Sequence, residues 1–303
     1  MRLEFHTLDV FTDQRFGGNS LAVVLAADAL DTPVMQSIAR EFNLSETVFV
    51  LKAENPAHSA RLRIFTPLAE LPFAGHPTVG TAVLLAGLRA PAGEHERDAI
   101  VVLEQGIGRV RVGVRLRAAE APFAEFDAPR LPQPLADPST VERIAAALGL
   151  LPTEIGFENH RPSAFSSGNS CIFVPVSSLE AISKAEIVAG HWGEAFPKGS
   201  AMGAFLYCRQ TVHAGAAFHA RMFAPDVGVP EDPATGSAVV GLAGVVHRFD
   251  DLPDGHHKRM VEQGLEMGRP SRIVLSMDIE AGKLHGVRIG GHAVRVASGH
   301  LEV

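Results

Sequence analysis

The sequence predicts a mixed α and β protein of two similar domains facing each other, and three observations carry that prediction. The first is size. At 303 residues the chain exceeds one ordinary compact core, and 46% hydrophobic against 20% charged residues supplies apolar side chains for two. The second is a series of short apolar runs bounded by Gly, Pro, Asn and Asp, the pattern of strands and tight turns, broken by a few helical stretches. The third is repetition. Gly18-Asn19-Ser20-Leu21-Ala22-Val23-Val24 returns as Gly168-Asn169-Ser170-Cys171-Ile172-Phe173-Val174, offset by 150 (168 − 18). Arg63-Ile64-Phe65-Thr66-Pro67 returns as Arg221-Met222-Phe223-Ala224-Pro225, offset by 158 (221 − 63). Each is followed by a polar loop opening into an apolar helix. Three echoes in one order, at a domain-sized period, read as an internal duplication.

The elements follow in chain order. Residues 2–12 alternate as a strand, residues 13–19 form a turn, and residues 20–26 form a second strand rich in Val and Leu. Residues 32–42 have helical spacing, with Asp31 as cap and Pro33 in the first turn. Residues 44–50 are a β-type run carrying one acid, Glu46, and residues 61–65 are another strand. The polar loop at Pro72 runs into an apolar helix ending near Ala86. Residues 100–103 and 109–116 pair across Gly106-Ile107-Gly108. Residues 118–138, rich in Pro and Ala, read as a linker or domain crossing, and residues 139–148 as a helix. The second half then repeats the order and ends its echo at Pro230–Ala238, where a tight polar loop opens into Val239–Ala243. Such helix starts present unpaired N–H groups and the positive end of a dipole, which suits a carboxylate or phosphate. Letter matching between the two loops permits an offset of 156, setting Pro77 on Pro233, or of 159, setting Ala74 on Pro233. Either way both helix starts face one cleft.

Composition excludes several function classes. A formal net charge of −7 offers no basic footprint for nucleic acid, and Arg109, Arg111, Arg115 and Arg117 alternate as one exposed strand face would. The two cysteines, Cys171 and Cys208, sit in apolar runs with no CxxC pair, so neither a zinc site nor a disulfide framework is expected, and a reducing cytoplasm fits. Met1-Arg2-Leu3-Glu4-Phe5-His6 alternates like a strand rather than a signal peptide, and no run approaches the roughly 18 apolar residues of a membrane span. His256-His257 reads as part of an exposed loop, and adjacent strand histidines would face opposite sides, so no metal site is expected there.

Glu46 stands out among the candidate residues. Pointing inward between Leu44 and Val48, it would lose hydration, its pKa would rise, and it would suit acid/base work near neutrality; pointing outward, it is an ordinary strand acid. His76 lies in a loop between Gly75 and Pro77 and is either a proton carrier or merely solvated. Asp232 is either a helix cap or a carboxylate kept ionised by the helix dipole. Ser237 has no Gly-x-Ser-x-Gly elbow and is better read as binding or capping than as a nucleophile. Gly18-Asn19 and Gly168-Asn169 are adaptable turns whose amides could meet a ligand.

Gly18-Asn19, Leu44-Ser45-Glu46-Thr47, Pro72-Phe73-Ala74-Gly75-His76-Pro77-Thr78 and Glu231-Asp232-Pro233-Ala234-Thr235-Gly236-Ser237-Ala238 together resemble the PhzF family of phenazine-biosynthesis-like isomerases, within the diaminopimelate epimerase-like superfamily. The resemblance implies an α+β fold of two similar domains, each a curved, mostly antiparallel sheet wrapped around a central helix, with the active site in the interdomain cleft. The domains would span 1–120, with the last strand near 290–303 as a candidate to complete the first, and 121–289. It implies a homodimer, no cofactor and no metal. The position matching Glu46 would be the general acid/base of an allylic proton shift on a dihydro-hydroxyanthranilate-like carboxylate, with His76 and Asp232 assisting. Gly18, Asn19, Gly75, Thr78, Thr235, Gly236 and Ser237 would bind substrate. Epimerase relatives use two cysteines at the helix starts; this chain has Ala74 and Pro233 there, which disfavours two-thiol racemisation. A non-catalytic small-anion binder on the same fold is the alternative.

Overall fold

The computed structural model describes residues 1–89 and 96–303. Among them the chain is a mixed α/β structure made mostly of strands. The first half runs β1 (Arg2–Val10), β2 (Asn19–Val24), α1 (Thr32–Phe42), β3 (Glu46–Leu51), β4 (Ala60–Phe65), β5 (Glu70–Leu71), α2 (Gly75–Arg89), β6 (Arg97–Gln105), β7 (Gly108–Leu116) and β8 (Phe123–Asp127). The second runs β9 (Gln133–Pro134), α3 (Val141–Ala147), β10 (Ser163–Ser166), β11 (Ser170–Pro175), α4 (Leu179–Lys184), α5 (Ala189–Ala195), β12 (Gly203–Cys208), β13 (Phe218–Ala224), β14 (Val229–Asp232), α6 (Gly236–Phe249), β15 (Gly255–Gln263), β16 (Ser271–Glu280) and β17 (Lys283–Glu302).

The pairing pattern recurs. A hairpin, β1–β2 or β10–β11, is followed by a helical crossover to a parallel neighbour, β3 or β12. An antiparallel return through β4 or β13 leads to the long apolar helix, and then to a strand lying parallel to that return, β6 or β15. From β17 the ladder runs through β1, β2, β3, β4, β6, β7 and β8 and comes back to β17, so these strands encircle α2. The strands β9–β13, β15 and β16 gather around α6. The 20-residue β17 serves both groups: Lys283–Gly290 pairs with β16, Arg288–His292 with β8, and Ala293–Glu302 with β1.

Local chemistry explains the elements. The Asp31 carboxylate accepts from the Val34 N–H at 2.9 Å and caps α1, with Pro33 where a missing N–H costs nothing. The strands β2, β3, β12 and β13 are buried along nearly their whole length, because helices cover their outer faces. There α1 packs Met35 and Ala39 against Val24, Phe49 and Phe65, while α3, α4 and α5 pack Ile144, Ile182 and Trp192 over Ile172, Val174 and Leu206. On the inner faces α2 and α6 share one continuous core, and both are apolar on almost every side, as a helix enclosed by strands must be. No helix among the described residues is long and apolar enough to cross a membrane.

Two expectations need correction. Residues 118–138 are not simply a linker, since β8 lies between β7 and β17 in the sheet. Its prolines, Pro122 and Pro129, only flank a five-residue strand whose Ala124 and Phe126 are buried. His256 and His257 lie within β15, not in a loop. Cys171 and Cys208 are free and buried in β11 and β12, where burial pushes both thiols up to about 12.

The helix starts of α2 and α6 touch backbone to backbone. A Cβ on Gly75 would lie 2.8 Å from the Gly236 Cα and the Ser237 nitrogen. Since no flexible side chain can yield there, Gly75→Ala is expected to cost about 1–3 kcal/mol of stability, measured by urea denaturation.

Candidate active site

The two helices meet N-terminus to N-terminus, and asparagines from the opposite halves tie the loops that lead into them. Asn19 at the start of β2 donates from Nδ2 to the Ala234 carbonyl at 3.0 Å, and Asn169 just before β11 donates to the Phe73 carbonyl, also at 3.0 Å. Each follows a glycine with positive φ, 62° at Gly18 and 112° at Gly168. These reciprocal bonds set the register between the loops. The offset is 161 (234 − 73, and 236 − 75), neither 156 nor 159. Under it Pro72, Gly75, Val79, Gly80 and Ala82 fall on Pro233, Gly236, Val240, Gly241 and Ala243, while His76 falls on Ser237 and Leu71 on Asp232.

A cavity of about 420 Å³, counting its open mouth, lies against these helix starts. Glu46, Gly75 and His76 line it from one side, and Asp232, Thr235, Gly236 and Ser237 from the other. Leu71, Met202, Met222, Val227 and Val229 form an apolar wall. Among the described residues, the backbone N–H groups of Gly75, His76, Gly236 and Ser237 have no acceptor. Four donors at the positive ends of two dipoles make a place for an anion.

Glu46 opens β3, paired with Leu21 of β2, and turns inward, its side chain only 12% exposed. Its Oε2 is buried without a hydrogen-bond partner and lies 3.4 Å from the equally unpartnered Nε2 of His76. Burial first, and the nearby Asp232 charge second, push the Glu46 carboxyl well above its ordinary value. His76 is pushed the other way, down to about 3, by burial, so the ring is neutral. Its tautomer follows from Asn19. The Asn19 Nδ2 faces Asp232 Oδ1 at 2.7 Å and the Ala234 carbonyl, both acceptors, which fixes the amide orientation. The His76 Nδ1, 3.2 Å from the same Nδ2, therefore accepts, and the ring proton sits on Nε2 towards Glu46. Asp232 is raised to about 6 by burial, against the lowering effect of donors from Thr235, Asn19 and Ser45. At neutral pH the site thus holds an ionised Asp232 and a neutral His76, beside a Glu46 carboxyl whose hold on its proton is strengthened by burial.

The structure brings Glu46, Gly75, His76, Asp232, Thr235, Gly236 and Ser237 around one cavity. Gly18 and Asn19 do not line it; Asn19 sits behind His76 and Asp232 and holds them. Thr78 lies further along α2, fully buried, its hydroxyl donating to the Ala74 carbonyl at 2.7 Å and accepting from Gln105. Asp232 is not the helix cap. Its oxygens accept from the side chains of Asn19 and Thr235, and the N-cap position of α6 belongs to Thr235. The reading of the sequence missed Gln263, whose single polar letter at the end of a strand carries no spacing signal. It also treated Asn169 only as a turn residue, although the Gly-Asn echo was the signal that could have paired it with Asn19.

A carboxyl whose folded-state pKa is raised contributes stability that is fully present below its unfolded value and is lost as pH climbs towards the folded one. Glu46 and Asp232 both follow this sign, so their contribution falls from pH about 4 upward. Glu46→Gln is expected to flatten that decline and to leave the protein about 0.5–2 kcal/mol more stable than the parent at pH 8, read from urea midpoints across pH 4–8.

Comparison with known proteins places this geometry. The sequence model of the phenazine biosynthesis-like protein family matches residues 8–299. The chain is 52% identical to an uncharacterised isomerase of Mesorhizobium japonicum over 97% of its own length and 96% of the relative's. It is 34% identical to trans-2,3-dihydro-3-hydroxyanthranilate isomerase of Pseudomonas chlororaphis, covering 97% of each chain. The crystal structure of a PhzF-family phenazine biosynthesis protein from Bacillus anthracis superposes with a TM-score of 0.88 at 25% identity, covering 100% of both chains. The chain belongs to the phenazine biosynthesis-like family, PhzC-PhzF, and is an isomerase of that family.

Proposed function

We propose that this isomerase moves a proton along the conjugated system of a small carboxylate similar to dihydro-hydroxyanthranilate, without a cofactor. The observation that carries the reading is Glu46, a buried carboxyl whose proton affinity burial raises, with one oxygen unpartnered and facing the cavity's other polar groups. The substrate carboxylate would take the free N–H groups at Gly75, His76, Gly236 and Ser237. Glu46 would remove a proton from one carbon and return it to another, and its raised pKa makes its ionised form a stronger base. His76, with its proton on Nε2, and the ionised Asp232 would orient the substrate and balance charge as the proton moves. In this reading residues 1–127 with the end of β17, and residues 128–289, are two similar domains, the boundary moved from 120 because β8 joins the ring around α2, and the cavity is the cleft between them. A homodimer remains an expectation of the family resemblance, and a cytoplasmic location one of the cysteine usage. None of the relatives compared supports the non-catalytic anion binder.

Glu46→Gln keeps shape and hydrogen-bonding capacity but cannot carry the proton. Given trans-2,3-dihydro-3-hydroxyanthranilate in deuterated water, the variant is expected to lose solvent deuterium incorporation and to lower kcat/KM by about 10²–10⁴-fold. It should still bind benzoate. Exchange at the parent's rate in a folded variant would sink the assignment of Glu46.

A further inference from the structure

Gln263, at the end of β15, is completely buried and is bonded to the Asp232–Thr235 loop without lining the cavity itself. Its Oε1 accepts from the Thr235 N–H at 3.0 Å, and its Nε2 donates to the Asp232 carbonyl at 2.7 Å and to the Thr235 Oγ1 at 3.0 Å. One amide therefore closes the loop on both polarities. An N-cap threonine ordinarily turns its hydroxyl oxygen to the N–H groups of the first helical turn. Thr235 does not; it makes no capping bond. Its Oγ1 accepts a hydrogen bond from Gln263 Nε2, and its own hydroxyl donates to Asp232 Oδ2, 2.5 Å away.

We propose that Gln263 is a positioning residue for the site: it holds the Thr235 hydroxyl away from the start of α6, leaving the Gly236 and Ser237 N–H groups open to a substrate carboxylate, and aims that hydroxyl at Asp232. The role is confined to one half of the molecule. At the offset of 161, the partners of Asp232 and Thr235 are Leu71 and Ala74, which can make no such pair. Gln105, at the end of β6, instead donates to Thr78, further along α2. The inference rests on the carboxylate-binding reading above, but not on Glu46 chemistry.

Asp232 is faced by Glu46 from β3, His76 from α2 and Glu231 from its own strand, the last held by Arg221 of β13. Two measurements that need no turnover test the proposal: benzoate affinity by calorimetry, and the titration midpoint of the ¹³C-labelled Asp232 carboxyl by NMR. Gln263→Met, similar in length and without donors, is expected to weaken benzoate about fivefold, the size of one neutral hydrogen bond, and to move the Asp232 midpoint upward. In a Thr235→Val background, Gln263→Met should add no further change to either reading, because the hydroxyl it directs is gone. Gln263→Glu supplies a second variant in case the first does not fold, and should move both readings in the same direction. Unchanged readings in a folded variant, or a full additional loss in the Thr235→Val background, would overturn the proposal. Abolished deuterium exchange in Glu46→Gln alone bears only on Glu46.

Discussion

Two helices brought together at their N-termini set the conditions for everything else near the cavity. Each start carries roughly half a positive charge, and at Gly75 and Gly236 the backbones are in contact. Unbalanced, that arrangement is repulsive. It invites negative charge, and the Asp232 carboxylate beside it supplies one. Burial, and then the repulsion of a second anion so close, raise the Glu46 carboxyl well above its ordinary value, while Asp232, raised by burial only to about 6, is ionised at neutral pH. The same juxtaposition also explains the composition of the loops. Only glycines permit the contact, and Pro77 inside α2 removes an N–H that would otherwise lack a partner.

The contact is held from a distance. Arg269, in the connection between β15 and β16, donates to the carbonyls of Gly17 and Gly18 and to Asp9. That grip fixes the turn from which Asn19 springs, and Asn19 in turn reaches His76, Asp232 and the Ala234 carbonyl. One short chain of bonds therefore joins the β15–β16 connection, the first hairpin and both helix starts. Buried polar networks of this kind act together: removing one member leaves the others unsatisfied in a medium that penalises it.

Much of this could be read from the letters, and what could not has physical reasons. The Gly-Asn echo and the loop-to-helix transitions marked the repeated elements, because turns and helix starts need particular residue types. Thr32–Phe42 was placed to the residue, since its cap and proline are local signals. The register between the two loops was missed because letter matching set Pro77 or Ala74 on Pro233, while the true correspondence is set by two hydrogen bonds between residues some 96 and 215 positions apart. Glu46 was visible as an acid among apolar neighbours, but whether it turned in or out depended on strands closing around α2. Gln263 and β8 were not legible. The first works through three bonds to a loop 28 to 31 residues earlier, and the second is a short strand inside a proline-rich stretch.

The single strand β17 gives the molecule a spine. It hydrogen-bonds to β16 and β8 along its first half and to β1 along its second, so one unbroken strand runs through both groups of strands. Peripheral turns contribute part of the cavity's lining. There Leu68, 62% exposed in the turn between the lining residues Thr66 and Leu71, rests on Gly228, itself between Val227 and Val229. That contact joins two turns 160 positions apart (228 − 68) at the edge of the cavity, so a side chain at position 228 would press directly on Leu68.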